Sequence, residues 1–313
     1  MSDHSIWGPL ARKMAGRLSF NVPLKDLSTF GLGGPAAVLA GPETVEELAA
    51  ILDLCRTGGL RYYILGAGSN ILFLDEGFDG AVIRLGPGFK AIEHLGGGLI
   101  RAGAAAGGRQ LLEAAAEMGL SGLECLVGIP CSVGGAVYMN AGSSEAELGQ
   151  VVSRIFYLRP DGHCESALRR ELDFAYRGLR NLPAGAVILG AEFQLSQGRR
   201  EEIQARVRRL LAERDARQPR GLRSAGSVFK NPPGLSAGKL IDDCGFKGRR
   251  LGSALVSEIH ANIIVNPGGA QSSEILELMR LIQAAVREKH GVRLEPEIKI
   301  VGRHGEVDGH ETA

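Results

Sequence analysis

The sequence predicts an α+β protein arranged in two or three lobes, and three observations carry that expectation. At 313 residues the chain is long enough for more than one hydrophobic core. Strand-like and helix-like segments alternate from Ser28 to Leu85 and again from Leu99 onward. A charged helical segment then ends at Gln218-Pro219-Arg220-Gly221, which sets the C-terminal part apart.

In chain order, 36–40 reads as a strand. Thr44 and Glu47 form a capping box that opens a helix carrying Leu48, Ile51, Leu52 and Cys55, stopped by Gly58-Gly59. Strands are expected at 62–65 and 81–85, then at 99–104, followed by a helix around 110–118 that ends at Gly119. The stretch SGLECLVGIPCSVGGAVYMNAG fits neither periodicity and is expected to be a long, functional loop. Strands follow at 152–158 and 186–195. A helix over 199–217 has the apolar face Ile203, Val207, Leu210 and Leu211. Beyond it come a short helix at 237–244, a strand at 263–265, and a helix with Ile275, Leu278, Met279, Ile282, Ala285 and Val286 on one face. The alternation in GVRLEPEIKIVG predicts a final strand that buries Val292, Leu294, Ile298 and Ile300 and turns Glu295, Glu297 and Lys299 the other way.

Lys plus Arg number 36 against 35 Asp plus Glu, so no field gathers nucleic acid or an anionic membrane. No apolar run approaches the roughly 18 residues of a spanning helix. Arg12, Lys13 and Arg17 interrupt any signal-peptide core, so a cytoplasmic protein is expected. Five cysteines without a C-x-x-C pair, and seven scattered histidines, argue against a disulfide framework and against a metal site. The 45 glycines stand out, at about twice the usual share.

Some of those glycines fall in two loops that suit an anion. GAGSN (Gly66, Ala67, Gly68, Ser69, Asn70) follows a strand; its bare backbone lets N–H groups converge, and two side chains add donors. Taken alone, such a loop is more often only a tight turn. It lacks the third glycine of a Rossmann fingerprint, and the segment Gly234 to Lys239 is not a P-loop. GIPCSVGGAVYMNAG repeats the theme with Ser132, Gly134, Gly135 and Asn140, and together the two loops suggest an extended cofactor lying between lobes.

LGAGSNILFLDEGFDGAVIRL, GIPCSVGGAVYMNAG, AYRGLR, SAGSVFKNP, HANIIVN and LEPEIKIVG, in that order, closely resemble the UDP-N-acetylenolpyruvoylglucosamine reductase family, from about Ser28 to Gly302. The resemblance implies a two-lobed FAD-binding domain of the vanillyl-alcohol-oxidase-like type (21–198, lobes 21–85 and 86–198) and a C-terminal α+β substrate-binding domain (199–303, with linking helix 199–217). Tails at 1–20 and 304–313 flank them. It implies noncovalent FAD on Gly66 to Asn70 and on Gly128, Ile129, Pro130, Ser132, Gly134, Gly135 and Asn140, with NADPH as hydride donor. The implied substrate is a small molecule, a UDP-linked enolpyruvyl amino sugar; no nucleic acid or membrane partner is implied, and a monomer or weak homo-oligomer is expected. Arg177, Ser227 and Glu297 match the catalytic positions, while Tyr176, Lys230, Asn231, His260 and Asn262 match substrate contacts.

Departures are Cys131 for the family's usual glycine, NAGSSEAELG for NAGAYG, and Arg223 for a proline. The segment after Arg177 is also too short for the tyrosine-bearing loop of the longer subtype. The chemistry suits the residue types. Hydride addition to an enolpyruvyl ether builds an enediolate with nearly two charges, for which a guanidinium fork is apt. Ser227 can protonate so basic a carbon, and Glu297 can help only if it carries a proton. An FAD-dependent oxidase or dehydrogenase of the same fold would explain the glycine loops but not SAGSVFKNP or LEPEIKIVG; a flavin-binding sensor or scaffold that catalyses nothing is the remaining alternative. Cys131 reads as a packing thiol.

Overall fold

The computed structural model describes residues 4–14, 16–143 and 146–307, without the side chains of 4 and 5. The chain gathers into two compact units that interleave along the sequence. One comprises Met1–Ser19, Leu39–Ala67 and Val82–Arg214, and the other Phe20–Val38, Gly68–Ala81 and Asp215–Ala313. The expected succession of 21–198 and 199–303 differs from this division, because 20–38 and 68–81 pack with the C-terminal residues. The expected N-terminal tail contains a helix, Gly8–Lys13, flanked by buried Trp7 and Met14.

The first unit is built on a five-stranded antiparallel sheet in the order Cys164–Leu168, Val152–Leu158, Val187–Gln194, Leu99–Gly103, Ile92–Gly96. Alternation sets its two faces: Ile100, Ala102, Ala191 and Phe193 enter the core, where Leu111 and Ala115 of the Gly108–Glu117 helix meet them. On the other face Glu192 pairs in register with Arg101 and Arg154, with carboxylate contacts of 2.6 and 3.6 Å. The helix expected after Thr44 is present as Val45–Thr57, with Thr44 Oγ1 accepting from the Glu47 amide.

Two expectations for this unit need correction. The stretch read as an irregular loop contains a helix, Val133–Tyr138, opened by Ser132. Gly134 and Gly135 hid it by lowering helix propensity, and glycine is needed at 134 because a Cβ there would meet the Ala104 Cβ at 2.9 Å. On the Arg200–Arg217 helix Ile203 is buried and Val207 and Leu210 pack part-buried against the core as expected, but Leu211, expected on the same face, is 41% exposed.

The second unit packs around the Ser272–His290 helix, which buries Ile275, Leu278, Met279, Ile282 and Val286 as expected. Asp75 fastens its start: a carboxylate oxygen accepts from the Ser272 amide at 2.9 Å, and Ser272 Oγ accepts from the Asp75 amide at 2.9 Å. Phe30, Leu32 and Leu72 share this core with Leu294, Ile298 and Ile300. The strand Ile71–Phe73 runs parallel to Lys299–Gly302, pairing Ile71 with Lys299 and Phe73 with Val301. Leu294 and Ile298 are buried as the alternation predicts, yet the strand begins only at Lys299. Pro296 is the physical reason, since it offers no N–H to a ladder.

Candidate functional site

Within the first unit the two glycine segments come together. A Cβ on Gly66 would lie 2.6 Å from Ser132 Oγ and 3.8 Å from the Gly135 Cα, so the segments touch at a position without a side chain. Ser132 Oγ accepts from the Gly135 amide at 3.3 Å. Other members of the predicted set are committed elsewhere: the Gly134 amide donates to the Ala104 carbonyl at 2.9 Å, and the Ile129 amide to the Leu126 carbonyl at 3.0 Å. Gly128 has φ 69° and lies under the Arg214 side chain. Cys131 packs against Gly108, and burial pushes its thiol up to about 11, consistent with a packing role.

Asn140 does not fit its expected part as a donor to a cofactor. It is 1% exposed, its Nδ2 donates to Glu147 Oε2 at 2.7 Å and to the Ala175 carbonyl at 2.9 Å, and its Oδ1 accepts from the Gly149 amide at 2.8 Å. Both amide hydrogens are thereby used within the protein. In NAGSSEAELG, Ser144 and Glu145 lie outside the described residues.

Tyr176 and Arg177 form the two-residue turn of a hairpin, Phe174–Ala175 with Gly178–Leu179, in which Ala175 pairs with Gly178. Arg177 has φ 61°, a left-handed conformation that glycine ordinarily supplies at the second turn position. Its Nη1 donates to the Gly142 carbonyl at 3.2 Å, and its guanidinium lies 4.9 Å from the centroid of the Tyr176 ring, which is itself 45% exposed. A left-handed arginine stores roughly 1 kcal/mol, a cost that persists where surrounding contacts fix the geometry.

The second unit gathers the remaining residues. Ser227 bridges to Ile263, Phe229 to Pro296, and the Glu297 amide donates to the Val228 carbonyl at 2.7 Å. SAGSVFKNP therefore lies between HANIIVN and LEPEIKIVG, which places Ser227 and Glu297 on neighbouring segments. Asn262 is buried and works as a splint: Nδ2 donates to the Phe229 carbonyl at 2.7 Å and Oδ1 accepts from the Phe229 amide at 3.0 Å. Asn231 accepts from the Ala237 amide at 2.9 Å, at the start of the Ala237–Asp243 helix. Lys230 stands 3.4 Å from Glu295. Burial lowers the pKa of His260, whose Nδ1 accepts from the Asn262 amide at 3.2 Å. Asn70 Nδ2 donates to the Glu297 carbonyl at 3.2 Å, and Gly68, with φ 70°, sits where a Cβ would run into the Leu27 carbonyl.

Thr29, which belongs to none of the six motifs, joins two of them. Its amide donates to the Gly68 carbonyl at 2.9 Å and its hydroxyl to the Ser224 carbonyl at 2.6 Å, tying the glycine loop to SAGSVFKNP. Its signal is TFGLGG, where glycine is required at 34 because a Cβ there would strike the Asp75 carbonyl.

Residues 218–301 match the model of the UDP-N-acetylenolpyruvoylglucosamine reductase C-terminal domain, and residues 35–167 match an FAD binding domain. A reductase of that name from Syntrophomonas wolfei is 38% identical, over 91% of this chain and 95% of the relative. The chain belongs to the UDP-N-acetylenolpyruvoylglucosamine reductase family. Another member, from Pelobacter propionicus, is 40% identical over 92% of this chain and 97% of its own. The crystal structure of the reductase from Thermus caldophilus superposes with a TM-score of 0.78 at 41% identity, covering 89% of this chain and 97% of that one. The FAD that the family model implies suits these segments, where Gly66 and Gly135 bring bare backbone together around the Ser132 hydroxyl.

Proposed function

We propose that this chain catalyses the NADPH-dependent, FAD-mediated reduction of UDP-N-acetylglucosamine enolpyruvate to UDP-N-acetylmuramate, a step in peptidoglycan precursor synthesis. The observation that carries this reading is near-full-length identity to reductases of that name, 38% over 91% of this chain and 95% of the relative. FAD binding is assigned to 21–198 and substrate binding to 199–303, in keeping with the two family-model matches.

Bound FAD would supply the redox chemistry that couples NADPH to reduction of the enolpyruvyl carbon. Gly66, Ala67, Gly68, Ser69, Ser132 and Gly135, with Gly128, Ile129 and Pro130 beside them, hold the cofactor noncovalently. The guanidinium of Arg177 receives the charge that builds on the substrate carboxylate, and its fork suits an enediolate. Ser227 Oγ gives the proton to the carbon next to that carboxylate. Glu297, protonated, donates a hydrogen bond to the same group. Tyr176, Lys230, Asn231, His260 and Asn262 contact or orient the UDP-sugar, the last two through the main-chain bonds described above. Among the described residues no helix is long and apolar enough to cross a membrane. A cytoplasmic protein, monomeric or weakly self-associating, is the reading that accords with a nucleotide-sugar substrate and NADPH.

Two half-reactions test the assignment. The oxygen-free holoenzyme should bleach with NADPH and regain its colour when the enolpyruvyl sugar is added. Arg177→Ala, Ser227→Ala and Glu297→Gln should bleach normally but recover colour more slowly, Arg177→Ala by roughly 10²- to 10³-fold. A Ser227→Ala enzyme that regains colour at the parental rate would remove the proton-donor role, and a chain unable to take up FAD would remove the whole reading.

A further inference from the structure

We infer that Asn140 is a positioning residue for Arg177, held in that part by Glu147; the inference rests on the charge-bearing role proposed for Arg177. Asn140 is 1% exposed and takes a left-handed φ of 45°, a conformation that asparagine tolerates better than most residues. Its amide joins three segments. Nδ2 donates to Glu147 Oε2 at 2.7 Å and to the carbonyl of Ala175 at 2.9 Å, and Oδ1 accepts the Gly149 amide at 2.8 Å. The orientation of the amide is fixed by its partners, two acceptors on the nitrogen side and a donor on the oxygen side.

Ala175 immediately precedes the Tyr176-Arg177 turn. Two residues beyond Asn140, the Gly142 carbonyl accepts from Arg177 Nη1 at 3.2 Å. The same short stretch thus grips the turn at its backbone and at its charged end. Further supports converge on this hairpin: Arg169 Nε donates to the Gly149 carbonyl at 2.7 Å, and its guanidinium lies 5.1 Å from the centroid of the Phe174 ring. An arginine in a left-handed turn has an intrinsic tendency to relax. Asn140 opposes that relaxation and keeps the guanidinium where the substrate carboxylate must find it. Acting through Arg177, it should affect the substrate half-reaction and leave the cofactor half-reaction alone.

The test is a double-mutant cycle on the holoenzyme with Asn140→Gly, Arg177→Ala and the double variant. Glycine keeps the left-handed backbone while it deletes the side chain with its amide, so the side chain's contribution is separated from that of backbone strain. Asn140→Gly is expected to bind FAD with the parental Kd and to bleach with NADPH at the parental rate. Its recovery of colour with the enolpyruvyl sugar should slow by roughly 10- to 100-fold, the scale of loss from a small misplacement. The double variant should be no slower than Arg177→Ala alone.

Multiplying losses, a weakened FAD Kd or a parental recovery rate in Asn140→Gly would each overturn the inference. A parental rate in Arg177→Ala would overturn the Arg177 assignment and the inference with it, whereas a slow Arg177→Ala beside a parental Asn140→Gly would sink the inference alone. Should Asn140→Gly fail to fold, Glu147→Ala takes its place in the cycle with the same outcomes deciding, and Glu147→Gln, which keeps an acceptor for the amide, is expected to restore most of the rate.

Discussion

Burial holds the imidazole of His260 below its ordinary pKa, and the hydrogen bond its Nδ1 accepts from the Asn262 amide requires the neutral ring. Between the folded and unfolded pKa values the unfolded chain binds more protons, so stability rises with pH across that interval. The contribution is complete above the ordinary value of about 6.5 and is lost as the pH falls through the lower folded value. Melting temperature measured from about pH 7.5 to 5 should therefore fall for the parent and fall less steeply for His260→Gln. Parallel curves would show that the ring does not titrate as described. At this scale sequence and structure diverge in an instructive way. Arg177 and Ser227 are indistinguishable from surface or turn residues by composition, and only the ordered motifs single them out. Asn140 reads as a free donor because it sits in a glycine loop, but its partners Glu147, Gly149 and Ala175 become neighbours only through tertiary packing.

The Tyr176-Arg177 hairpin turn shows what an element can store. Replacing Arg177 by alanine or by glycine removes the same guanidinium contacts, but only alanine still has to occupy φ 61°. Arg177→Gly should therefore be more stable than Arg177→Ala by about 1 kcal/mol in urea unfolding, while both lose the substrate half-reaction. Equal stabilities would mean that the turn relaxes when the arginine is removed. Elements written in local chemistry were legible: Thr44 and the apolar positions of Val45–Thr57, and the face of Ser272–His290, stand where periodicity and capping put them. Val133–Tyr138 was not, because its Gly134 answers to Ala104 in another segment rather than to helix propensity. The strand expected over 292–300 was half legible: burial alternates through it, while Pro296 removes a donor that pattern alone does not count.

On the scale of the whole molecule, interleaving has a direct consequence for dissection. The C-terminal unit places Phe30, Leu32 and Leu72 in one core with Leu294, Ile298 and Ile300, and it pairs Ile71–Phe73 with Lys299–Gly302. A fragment covering 199–313 lacks those partners and should show neither a dispersed amide spectrum nor a cooperative melt. A well-dispersed spectrum from that fragment would mean the early segments are dispensable to the core. The short strand near residue 72 was not expected from periodicity, and nothing local records its pairing with another near residue 300 at such sequence separation. The same parallel pairing sets an order on synthesis. As the chain leaves the ribosome, Phe30, Leu32 and Leu72 emerge long before Ile300, the residue that pairs with Leu72. Until Ile300 has emerged these apolar side chains lack part of their native shelter, and the exposed hydrophobic surface leaves the nascent chain open to wrong association.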